Sequence, residues 1–291
     1  MLTQKQANLI LITVSMGWGT SYIFMKLCAD AIAPFTMVTL RFGIACIVMV
    51  TIFYKQVMNV DVKTLKYSAI VGALLCGIFI ALSYGIKTTT ASSAGFLTST
   101  TVILVPMLQT FITRRAPERN ILLGVMIVCI GLALLTIKDE LSFATGSLYC
   151  LTAAFLYAIY IIVTDHFARE VSVLNLGIFQ LGFATVYASI GIFIFETPTI
   201  PEGGMNWFAI LGLALICSAY GFVMQPIAQK YTTPESTGFI FSLEPIFSAI
   251  FAFIFLHENM GLQGYIGAFV ILIGVFIANR TSKKENEILN Y

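Results

Sequence analysis

Apolar residues in this chain do not alternate with polar ones; they run. Ten apolar segments recur, over 7–25, 34–54, 67–86, 91–113, 120–137, 146–164, 172–195, 206–229, 234–256 and 262–279. Each approaches the ~20 residues that a helix needs to cross a hydrocarbon core. In lipid only helices and closed barrels satisfy their own backbone, and continuous runs disfavour a barrel. The pattern predicts an all-α membrane protein with ten transmembrane helices. The first run is as long as a full span and no small-residue cleavage site follows it, so it reads as a span rather than a signal peptide. The connections are too short to hold a soluble domain.

The runs also repeat. TTASSAGFLTS from Thr89 matches TTPESTGFIFS from Thr232 at an offset of 143 residues. The match holds without a gap to the last run. It places Gly95, Gly124 and Gly131 on Gly238, Gly267 and Gly274. RFGIA at Arg41 finds a weaker echo in QLGFA at Gln180. The unit is five spans. Five is odd, so the second copy is expected to enter the membrane inverted, which predicts two inverted five-helix repeats over 1–140 and 141–291. Inverted repeats around a central site are a signature of secondary transporters.

Charge then orients the chain. Only 10% of residues are charged, against about 25% in soluble domains, so the lipid bilayer is the expected partner. Lys5, Lys55, Lys63, Lys66, Arg114, Arg115, Arg119, Arg169, Lys230, Arg280, Lys283 and Lys284 fall on one side of a ten-span layout; Lys26, Lys87 and Lys138 fall on the other. This bias predicts cytoplasmic N and C termini in a cell membrane. A net charge of +2 gives no reason to expect nucleic acid. No phosphate loop, HExxH, GxSxG or metal constellation is present, and the six cysteines form no CxxC pair. No cofactor and no enzymatic activity are expected.

The order of several short motifs resembles the drug/metabolite transporter superfamily, in its EamA-type branch. They are Trp18-Gly19 and Lys26 in span 1, Leu40-Arg41-Phe42 in span 2 and Leu243-Glu244-Pro245 in span 9. His257-Glu258 stands where that family usually has Gly-Glu, and Arg115 stands where many members keep an acidic residue after span 4. The resemblance implies a central cavity lined mainly by spans 1, 3, 4, 6, 8 and 9. It also implies transport of amino acids, other metabolites, nucleotide-conjugated sugars or drugs.

Candidate site residues follow from chemistry misplaced in lipid. Trp18 and Tyr22 share a helix face, as do Tyr157 and Tyr160, so each pair is either packing or one wall of an aromatic pocket. Tyr84 is a weaker member of the same set. Trp18→Ala is expected to weaken transport more than folding. Ser99 belongs to a hydroxyl-rich stretch that either bonds its own backbone or faces the cavity. Thr101 is the repeat counterpart of Glu244. Span 8 offers Ser218, Tyr220, Gln225 and Pro226, whose missing N–H frees a carbonyl. Arg41 lies ~10 Å inside span 2 by helical rise. It serves either as a snorkelling or ion-paired residue, or in substrate or gate electrostatics. Glu244 lies ~15 Å past Pro234, near the midplane. It ties span 9 to a neighbour, meets the substrate, or carries a coupling proton. Pro245 makes span 9 a bending element.

These readings converge on a secondary transporter that moves a small organic solute by alternating access. An amino acid or related metabolite, exported, is the leading substrate class, and coupling to protons or another ion remains open. A drug or toxic-cation exporter is the nearest alternative. A channel or receptor, or an intramembrane enzyme, is the alternative from another class. Oligomeric state has no sequence signal.

Overall fold

Helix α1 (Gln4–Cys28) begins at a capping box, with the Thr3 hydroxyl accepting from Gln6 N and the Gln6 side chain returning to Thr3 N. It is the first of fourteen α-helical segments in the computed structural model, which describes residues 2–114, 119–136, 145–197, 199–241, 243–257 and 261–279. The others are α2 (Pro34–Ile52), α3 (Tyr54–Val57), α4 (Val62–Thr88), α5 (Ala91–Thr98), α6 (Thr101–Thr113), α7 (Arg119–Thr136) and α8 (Thr145–Ala168). Then come α9 (Val173–Phe195), α10 (Gly204–Gly212), α11 (Gly221–Gln229), α12 (Pro234–Phe241), α13 (Glu244–Leu256) and α14 (Gly261–Asn279). A π-helical stretch, Leu213–Tyr220, joins α10 to α11. Local chemistry sets several starts: Asp61 caps α4 at Thr64 N, Thr90 caps α5 at Ser93 N, and Pro34 opens α2 where a missing N–H is harmless.

Among the described residues each of the ten apolar runs is mainly helical, with runs 4 and 9 each split into two helices. Seven helices among the described residues are long and apolar enough to cross a membrane, and Leu122–Gly131, Glu244–Phe255 and Gly261–Gly274 are shorter apolar helices. Large apolar side chains such as Ile47, Phe111, Phe193 and Phe269 point outward and exposed, an exterior suited to lipid rather than water. Two features were not anticipated: the short α3 between runs 2 and 3, and the π-helical centre of run 8.

The duplication is legible in the backbone. Shifting α5 by 143 residues gives the bounds of α12, and shifting α6 gives those of α13. Both pairs are interrupted by one tightened turn, Leu243 N to Ile240 O in one and Thr100 N to Leu97 O in the other. Both α6 and α13 end in a left-handed residue, Arg114 at φ 53° and His257 at φ 54°, which are the non-glycine positive-φ residues among those described. Their positions are also 143 apart. That geometry explains why glycine suits the place held here by His257. The expectations attached to Arg115 and Glu258, and Lys138, Arg280, Lys283 and Lys284, fall outside the described residues.

Packing brings the halves together. Helix α4 lies against α8 and α9, α2 against α9, and α7 against α14. The α7–α14 crossing is close and reciprocal. A Cβ built on Gly131 would sit 2.8 Å from the Gly267 carbonyl oxygen, and one on Gly274 would sit 2.8 Å from the Gly124 carbonyl oxygen. Helix α1 runs through the middle, touching α5, α10, α11, α12 and α13.

Candidate functional site

The aromatic residues of α1 and α8 meet at this centre. Trp18 is 2% exposed, with its ring 5.9 Å from Tyr157, 4.7 Å from Phe222 and 4.8 Å from Phe241. Its Nε1 donates to the Cys217 carbonyl at 2.7 Å. Cys217 lies in the π-helical stretch, where the α-helical pairing of its carbonyl with Gly221 N is not made. In an α-helix the Gly221 N–H would take it, but here Gly221 N donates to Ser218 O. Gly221 also leaves room for the indole, since a Cβ there would sit 2.3 Å from Trp18 Nε1.

Trp18, Tyr22 and Tyr157 line one cavity of about 20 Å³ with Phe79, Phe222 and Glu244. A second, of about 10 Å³, lies beside it and is lined by Ser99, Thr101, Tyr157, Phe241, Glu244 and Pro245, among others. Each has room for about one water. Glu244 borders both and is 7% exposed. Its carboxyl shares the first cavity with Tyr22 and Thr98. There α13 packs against α1. Glu244 and Pro245 form the first turn of α13. A carboxylate there meets the positive end of the helix, and the proline forfeits no hydrogen bond. The break in run 9 therefore lies at the turn at Leu243, two residues before the proline. The hydroxyls of Thr98 and Ser99 donate to the carbonyls of Ala94 and Phe96 on α5, and that of Thr101 reaches Thr98 O at 2.7 Å across the break and Ala154 O on α8 at 3.1 Å.

Tyr160 stands next to this cluster, its ring 5.9 Å from Tyr157, but its hydroxyl points into a buried glutamine network. It lies 2.9 Å from Gln180 Oε1 and 3.0 Å from Gln225 Oε1. Gln225 Nε2 continues to Gln229 Oε1 at 3.1 Å, and Gln229 Nε2 donates to Ile161 O at 2.7 Å. Gln180 Nε2 donates to Phe222 O at 2.7 Å. That carbonyl is the one Pro226, four residues on, cannot use. Arg41 is fully buried on α2. Its Nε donates to Ser218 Oγ at 3.1 Å, and its guanidinium carbon lies 4.0 Å from the Phe79 ring centroid. It neither snorkels nor forms an ion pair among the described residues.

Two residues lie elsewhere. Tyr84 stacks on Tyr149 at 5.5 Å, and Tyr220, 39% exposed, pairs its hydroxyl with Thr13 Oγ1 at 2.6 Å. Trp18 is itself a packing residue, holding three rings and a carbonyl, so Trp18→Ala is expected to cost folding as well as transport. Phe79, Phe222, Phe241 and Gln229 were missed. Phe241 carried a signal, as the repeat counterpart of Thr98. So did Gln229, one helical turn from Gln225. Phenylalanines in apolar runs carried none. No group of three or more possible metal ligands occurs among the described residues.

The profile of the EamA-like transporter family matches residues 5–137 and 144–280. An uncharacterized transporter of Archaeoglobus fulgidus is 27% identical over 94% of this chain and 85% of its own length. A second from that organism is 26% identical over 97% and 99%. The uncharacterized transporter YetK of Bacillus subtilis is 24% identical over 89% and 82%. A crystal structure at 18% identity has the same fold, with a TM-score of 0.77 over 96% of this chain and 98% of that one.

Proposed function

The chain belongs to the EamA-like transporter family, a family of multi-pass membrane transporters and not enzymes, and on that premise we propose that it moves an amino acid or related metabolite outward across the cytoplasmic membrane. It works by alternating access. The ten apolar runs act as ten spans in two inverted halves that divide near residue 140, with both termini in the cytoplasm. The observation that carries this reading is the pair of broken helices. Their breaks, before Thr101 and Glu244, lie 143 residues apart and border the same cavity. Discontinuous helices meeting at a central site give two similar halves a place to exchange conformations.

The ends of the bundle support it. Lys63, Arg169 and Thr232 meet at one end, through Lys63 Nζ to Glu170 at 2.7 Å and Arg169 Nη2 to Thr232 O at 3.1 Å. At the other, Glu196 on the flank of α9 accepts from Phe35 N at 2.8 Å and Thr36 N at 3.0 Å, capping α2 across the halves. Both ends are tied and the central cavities are small, as a closed intermediate requires. An organic cation is the competing substrate, favoured by a carboxylate set among rings at Glu244.

Counterflow in proteoliposomes is the test. Saturable exchange of a labelled amino acid is expected. In Glu244→Gln, counterflow persists and pH-driven accumulation is lost if Glu244 carries the coupling proton. Unaltered driven transport assigns Glu244 to structure instead. Non-saturable flux in the wild-type protein overturns the transporter mechanism.

A further inference from the structure

Arg41 is a cation with no ion-pair partner among the described residues. It is 0% exposed and lies within the bundle on α2. One nitrogen reaches Ser218, and Nη1 reaches only the Met25 sulfur at 3.8 Å. Nη2 is buried and makes no hydrogen bond among the described residues. What holds the guanidinium is aromatic: it lies 4.0 Å from the centre of Phe79 and 5.0 Å from that of Phe42. Phe79 also lines the central cavity, so the charge sits one ring away from that space.

Burying an unpaired charge is costly, and removing the partner of a buried pair destabilises for the same reason. A guanidinium with a free N–H beside a cavity matches the planar geometry of a carboxylate. We propose that Arg41 is the anion-binding residue of the transport site, so that the substrate carries a carboxylate on an apolar or aromatic body. The carboxylate meets Nη1 and Nη2 once Phe79 and Phe222 part. The body then lies among Trp18, Phe79, Phe222 and Tyr157. This rests on the transport reading above and deepens it. An amino acid or aromatic acid satisfies the site, and an organic cation lacking a carboxylate does not.

Thermal-shift titration of the full chain in detergent tests this with four probes: 3-phenylpropionate, its amide, phenethylamine and L-phenylalanine. The two carboxylates are expected to raise the midpoint; the amide and the amine are not. In Arg41→Gln the carboxylates bind about 10- to 100-fold more weakly, the range for a hydrogen bond to a charged group. Arg41→Lys retains part of the affinity. Without added probe, Arg41→Gln is at least as stable as the wild type, because an uncompensated charge has been removed. Equal stabilisation by amide or amine, no response to either acid, or unchanged acid binding in Arg41→Gln overturns the proposal. So does a destabilised Arg41→Gln that Arg41→Lys restores, which marks a structural arginine. Acid-selective binding without saturable counterflow of the same acid removes the transport reading and leaves Arg41 as an anion site. Saturable counterflow confined to amines does the reverse.

Discussion

Trp18 shows how much one side chain can carry. Its indole fills space among three rings, and its N–H donates to the Cys217 carbonyl of the π-helical stretch. These roles separate by substitution. Trp18→Phe keeps most of the packing and loses the hydrogen bond to the Cys217 carbonyl, which costs about 0.5–1.5 kcal/mol. Trp18→Ala also opens a cavity, and loses about 3–5 kcal/mol. Thermal unfolding of both variants in detergent checks the order. Equal stability of Trp18→Phe and the wild type removes the role given to the N–H. The aromatic pairing of Trp18 with Tyr22 was visible at helical spacing. The partner Phe222 was not, because a phenylalanine in an apolar run looks the same whether it faces lipid or a cavity.

The broken helices repeat their chemistry with different residues. Positions 101 and 244 both open a helix beside the same cavity, yet one is threonine and the other glutamate. At the far ends, Arg114 and His257 adopt the same left-handed conformation. A side chain there strains the backbone by roughly 1–2 kcal/mol, part of which glycine gives back in unfolded-state entropy. Arg114→Gly and His257→Gly are each expected to stabilise the protein by about 0.5–1 kcal/mol, measured as a raised thermal midpoint. A lowered midpoint for both would mean that their side chains contribute more than the strain. The chain reversal was legible from sequence as a charged loop; its handedness was not, since neither residue is a glycine.

Across the whole molecule, the two ends are held by different means. Glu170 accepts from Lys63, from the Tyr67 hydroxyl at 2.8 Å, and lies 3.1 Å from His166 Nε2. The hydrogen bond from Lys63, then that from Tyr67, holds its carboxyl below the usual carboxylate range. A lowered folded-state value means that Glu170 stabilises the closed end above the ordinary value of about 4.3. That contribution is lost as pH falls through the lowered value. The midpoint difference between wild type and Glu170→Gln is therefore expected to be level near neutrality and to vanish in acid. A difference unchanged well below the ordinary carboxylate value removes this tie. Salt weakens it as well, because the pair is exposed.

Run length, apolar continuity and the 143-residue offset determined the helices and their duplication from sequence alone. In lipid the backbone has no other partner, so composition leaves few alternatives. The uneven basic residues were readable for the same reason: charge is costly in the bilayer and collects at its edges. Only the tertiary structure decided which candidates meet. Tyr84 and Tyr220 share composition with Tyr22 and Tyr157, and helix rotation alone sends them to other surroundings. Arg41 could be placed at its depth by counting residues. That it lies against Phe79 with an unused N–H depended on how α2 and α4 pack, because side-chain partners distant in sequence are set by the crossing of helices rather than by the period within one.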